Sequence, residues 1–72
     1  MINLKEAREK RSLSQDELSR ISGVKRSTIN NIERAQAGKI KQESIRISTA
    51  WKLCQALGVG IMEFVPNDEQ EV

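Results

Sequence analysis

The sequence predicts an all-α domain of five short helices, and three observations carry that expectation. Apolar residues recur at spacings of three and four, as in Ala50, Leu53, Cys54 and Leu57, the period of one helix face. Aromatic residues are nearly missing, with one Trp, one Phe and no Tyr in 72 residues, so the core has to be aliphatic, as suits packed helices. Start and stop signals follow one another at short intervals: Ser14 with Glu17 three residues on, then Gly23, and later Gly58.

Taken in order, Asn3 caps a first helix with the inner face Leu4, Ala7 and Arg8, ending near Arg11, and Leu13 anchors the following turn to the core. Ser14 and Glu17 form a capping box that starts the second helix, worth roughly 0.5–2 kcal/mol at the cap. Leu18 and either Ile21 or Ser22 face inward, Gly23 ends the helix where positive φ is needed, and Val24 plugs the turn. The third helix runs from Lys25 or Arg26 to Arg34 or beyond, with Ile29 and Ile32 on its buried face and Gly38 closing an extended end. A basic loop from Lys39 to Arg46 follows. The fourth helix starts at Ile47 to Thr49, with Ser48 as its cap, and ends at Leu57 before Gly58, with Trp51 bordering its inner stripe. A short fifth helix spans Ile61 to Val65, with Phe64 inward. Residues 1–65 form one domain, and the acidic segment 66–72 after it is expected to be a disordered tail.

Composition narrows the function classes. One Cys and no His leave no internal disulfide, too few ligands for zinc and no imidazole base, and Cys54 reads as a small core residue rather than a nucleophile. No catalytic constellation, Gly-rich phosphate loop, cofactor site or small-molecule ligand site is evident, so an enzyme is not expected and no cofactor is implied. No signal peptide or spanning segment is legible, which points away from the membrane and toward a reducing cytoplasm. The net charge is only +2, but residues 1–65 carry twelve bases against seven acids once Asp68, Glu69 and Glu71 are set aside. Within residues 25–46, Lys25, Arg26, Arg34, Lys39, Lys41 and Arg46 face only Glu33 and Glu43, an excess that fits a polyanionic partner.

The third helix points to what that partner is. At about 100° per residue, Ser27, Asn30, Asn31 and Arg34 cluster opposite Ile29 and Ile32, and Arg26 can swing toward the same side. Such a face is poorly suited to a core and well suited to the edges of DNA bases. Lys25 is an unfavourable residue at a helix start, and a bound phosphate there would compensate it.

The chain resembles the Cro/phage-repressor (XRE) helix-turn-helix family. The residues that carry the resemblance are Leu4, Ala7 and Arg8; Leu13, Ser14, Gln15, Leu18 and Ser19; Gly23 and Val24; Ser27, Thr28, Ile29, Ile32 and Glu33; and Trp51, Leu53, Cys54, Ala56, Leu57, Gly58 and Val59. It covers residues 2–65 and implies a compact five-helix, lambda-repressor-like domain whose helices two and three form the DNA-binding unit. By position it implies that Arg26, Ser27 and Asn31 reach base edges. Arg pairs bidentately with guanine and Asn with adenine, so two of these are also chemically apt. It implies phosphate contacts for Gln15 and Asn30, with Lys25, Lys39, Lys41 and Arg46 as further candidates, and a structural ion pair between Arg8 and Glu33. Three departures stand out: Lys25 in place of a capping Ser or Thr, Ala35 where Gly commonly ends the third helix, and a longer segment before the fourth helix.

The implied function is a sequence-specific double-stranded DNA-binding transcriptional regulator, a repressor, bacterial or phage-encoded. It would bind as a homodimer to a palindromic operator, because one such module reads only about 4–6 base pairs. Ile61, Met62 and Val65 are the candidates for the dimer surface, with plain core the competing role for Ile61 and Val65. An alternative from another class is an antitoxin or similar module that binds a partner protein. A controller protein of a restriction–modification system is a subtype of the first reading.

Overall fold

The computed structural model describes residues 3–41 and 45–64, the side chains of Glu63 and Phe64 excepted. Four helices, α1 (Leu4–Lys10), α2 (Gln15–Ser22), α3 (Arg26–Gln36) and α4 (Ile47–Leu57), and no strand make up the described residues. The fold has four helices of seven to eleven residues where five were expected; at the place of the fifth, expected over Ile61–Val65, Ile61–Phe64 is a single α-helical turn of four residues. The inward Phe64, Val65, Glu43 and the acidic tail fall outside what is described.

Each boundary has a local cause. Asn3 Oδ1 accepts from the Glu6 N–H at 2.9 Å and starts α1. The chain leaves α1 through Ser12, whose φ of 55° is unusual for a non-glycine residue and costs on the order of 1 kcal/mol. The Leu13 N–H then donates back to the Arg8 carbonyl at 3.1 Å and closes the end. Nothing in the sequence singled out Ser12. In α2 both halves of the capping box are present: Ser14 Oγ accepts from the Glu17 N–H at 3.0 Å, and Glu17 Oε1 accepts from the Ser14 N–H at 2.8 Å.

Gly23, at φ 77°, turns the chain from α2 toward α3. Of the two residues expected inward near this point, Ser22 is partly buried and Ile21 is 59 % exposed. The helix ends one residue later and Val24 folds back as the apolar plug, so the place Ile21 would fill is covered from the turn. At the far end, α3 extends to Gln36. Gly38, at φ 79°, lets the Lys39 N–H reach back to the Arg34 carbonyl at 2.9 Å.

Ser48 does not cap α4. Arg46 holds the N-cap position without a side-chain bond, because its carbonyl already accepts from the Ala50 N–H at 2.9 Å and draws Ile47 and Ser48 into the first turn.

The core gathers one side of every helix. Leu4, Leu18, Ile29, Leu53 and Leu57 are fully enclosed, with Ala7, Val24, Ile32, Ala50 and Cys54 around them. Each large side chain so buried contributes roughly 1.5–3 kcal/mol. Leu13, Ile45, Ala56, Val59 and Ile61 seal the rim. Within this frame α2 packs against both α3 and α4, and α1 packs against α3. The outer face of α3 is thereby left clear.

Candidate nucleic-acid interface

The unit that presents α3 is rigid for identifiable reasons. Ser19 Oγ donates to the Val24 carbonyl at 2.6 Å, and Ser22 Oγ accepts from the Val24 N–H at 3.1 Å. Two serines of α2 thus satisfy both backbone groups of the residue that plugs the turn. Ile29 and Ile32 hold α3 to the core from its inner side.

A second clamp comes from α1. Arg8 Nε donates to Glu33 Oε2 at 2.8 Å, and a second guanidinium nitrogen donates to Glu33 Oε1 at 3.1 Å. The remaining nitrogen donates to the Leu13 carbonyl at 2.8 Å, so one side chain joins α1, the following turn and α3. The pair is buried, and the hydrogen bond that Arg8 donates to Glu33 raises the Arg8 pKa above its ordinary value against the opposing effect of burial. Removing one partner would strand a buried charge, a loss of roughly 3–5 kcal/mol.

On the outer side of α3, Arg26, Ser27, Asn31 and Arg34 are exposed and Asn30 is partly buried. Lys25 sits at the N-cap with no side-chain bond, and the first turn of α3 contains no acid. The partial positive charge of this helix end therefore has no counter-charge from α3 itself, and two cations lie beside it. The contrast with α2, which carries Asp16 and Glu17 in its first turn, is internal to the same unit. Asp16 reaches across to Arg26, at 3.3 Å from its Nε; both side chains are well exposed, so this pair contributes no more than about 1 kcal/mol.

Gln15 begins α2 and turns across to α3. Its Nε2 donates to Asn30 Oδ1 at 3.3 Å and to Glu33 Oε1 at 3.1 Å. The structure thus brings Gln15, Arg26 and Asn30 together at the α2–α3 junction, with Ser27 and Asn31 on the same helix. Lys39, Lys41 and Arg46 are exposed on the connection to α4 and form no ion pair among the described residues. Sequence reasoning missed the links from Gln15 to α3 and from Asp16 to Arg26. Both depend on the angle at which α2 crosses α3, which no local signal encodes.

Among the described residues no group of three or more His, Cys, Asp or Glu is placed to hold a metal, and no helix is long and apolar enough to cross a membrane. Cys54 is buried in the core.

Two helices joined by a turn on a left-handed glycine, the second with a free polar face, define a helix-turn-helix domain. Residues 4–64 match the helix-turn-helix family model of the Cro/phage-repressor (XRE) type, and the chain belongs to that family, whose members bind DNA and are typically not enzymes. Comparison with curated proteins and with solved structures gave no match.

Proposed function

We propose that this protein is a sequence-specific regulator of transcription, a repressor, that places α3 in the major groove of double-stranded DNA and binds a palindromic operator as a homodimer. The observation that carries the reading is the outer face of α3: a row of exposed hydrogen-bonding side chains behind a helix N-terminus flanked by Lys25 and Arg26, with no acid in the helix's own first turn. Arg26, Ser27 and Asn31 reach base edges, where Arg suits guanine and Asn suits adenine. Lys25, Lys39, Lys41 and Arg46 hold phosphates, and Asn30 holds one more with Gln15 behind it, in place of the direct contact expected of Gln15. Asp16 holds Arg26 on the α2 side until a guanine or phosphate displaces it. Met62, 58 % exposed on the terminal turn, and Ile61 beside it contribute to the dimer surface.

Selection of bound sites from random duplex DNA tests the reading. Two inverted half-sites with centres one helical turn apart, about 34–36 Å, are expected. Enrichment of a single undivided motif would remove the dimer, and no enrichment at all would remove sequence-specific recognition.

A further inference from the structure

We infer that the buried Arg8–Glu33 pair sets the polarity of the Asn30 amide through Gln15. In consequence Asn30 turns its N–H donors outward, to a DNA phosphate, and its oxygen inward, away from the two-ended pairing that reads adenine. The inference rests on the DNA reading above and deepens it.

Each step follows from what the groups can donate or accept. Arg8 is a donor only, and it holds Glu33 as an acceptor only. The atom of Gln15 that lies 3.1 Å from Glu33 Oε1 must therefore be its amide nitrogen. That same nitrogen lies 3.3 Å from the Asn30 side chain, which must answer with its oxygen. Both hydrogens of Gln15 Nε2 are now committed, so the Gln15 side chain has none left for a phosphate. Asn30 Oδ1 is drawn toward Gln15, with one of its two acceptor positions used, and its Nδ2 has no partner among the described residues.

An Asn that pairs with adenine needs both ends of its amide, one to accept from N6 and one to donate to N7. The Asn30 oxygen is instead directed back at Gln15, away from where a base edge would meet it. Asn31, exposed next to it and without a side-chain bond among those described, keeps both ends. Two adjacent asparagines of one helix thus take different tasks: Asn30 positions and Asn31 reads. Gln15 is a positioning residue that acts through Asn30.

The test uses the full chain and its Q15M, N30A and Q15M/N30A variants. Binding is measured to the duplex recovered by selection and to an unrelated duplex of equal length. N30A is expected to weaken both complexes by about fivefold, the usual worth of one hydrogen bond, and to leave the selected sequence unchanged. Q15M is expected to match that loss in the parent chain and to add less than about twofold in the N30A background. Equal losses in both backgrounds, or an altered base preference in N30A, would overturn the assignment. Heteronuclear NMR of the side-chain amides in the free protein probes the relay without DNA: Q15M should move the Asn30 amide resonances, and unmoved resonances would overturn it. A relay present by NMR in a protein that selects no duplex would instead sink the DNA reading.

Discussion

Asp16 and Arg26 show how a single weak contact can matter for function. Their ion pair is too exposed to stabilise the fold much, yet it draws the guanidinium proposed to read a base toward α2. Removing the acid frees Arg26 and subtracts a negative charge from the face proposed to meet DNA. Asp16→Asn should therefore raise affinity for unrelated duplexes by about 1 kcal/mol or less while leaving thermal stability nearly unchanged. Titration at two salt concentrations checks this, and weaker binding would mean that the pair organises Arg26 instead of restraining it. Arg8 lies at the other extreme. Its three bonds are buried and shared among α1, the turn and α3, so its role is legible from the family resemblance and from geometry alike.

At the scale of the element, the two helices of the DNA-binding unit begin in opposite ways. The α2 start is fully capped, and the bond from the Ser14 backbone, followed by that from its hydroxyl, lowers the Glu17 pKa below the ordinary glutamate value. A depressed carboxylate contributes stability that is present above the unfolded-state pKa and is lost as pH falls through the folded one. Acid titration of the folded protein should accordingly show stability declining below the usual glutamate range, and Glu17→Gln should flatten that decline. The α3 start has no such bond. Lys25→Ser should stabilise the free protein by about 0.5–1 kcal/mol and weaken DNA binding, an exchange visible as a higher melting temperature with a lower affinity. An unchanged affinity would mean that Lys25 is a neutral departure from the family pattern.

At the scale of the whole molecule, the core is small and shared by every helix, so it tolerates little loss. Leu53→Ala should cost about 2–5 kcal/mol, read by denaturant unfolding, with the exposed Trp51 as the optical probe. The pattern of what the sequence disclosed follows from range. Caps and stops such as Asn3, Ser14, Glu17 and Gly23 are local, and their causes lie within four residues. The inner faces of all four helices repeat at helical period and were equally legible. The choice between Ile21 and Ser22 stayed open, and Ser48 was misplaced, because periodicity does not say where a turn folds back or where a helix draws in one more residue. The bonds from Gln15 to Asn30 and Glu33 were hidden because they depend on how two helices cross.

The extension of α3 beyond the position where glycine is common in the family is not idle. The Leu4 N–H, the first of α1, donates to Gln36 Oε1 at 2.8 Å across 32 residues of sequence. An opening amide of a first helix ordinarily frays and trades its hydrogen with water within the shortest-lived fluctuations. Here that exchange has to wait until the start of α1 and the end of α3 come apart. Leu4 should consequently be slow for its position, and Gln36→Ala should hasten it by about tenfold while the neighbouring Glu6, held by Asn3, keeps its pace. The first helix of the chain thus keeps time by the last turn of the third.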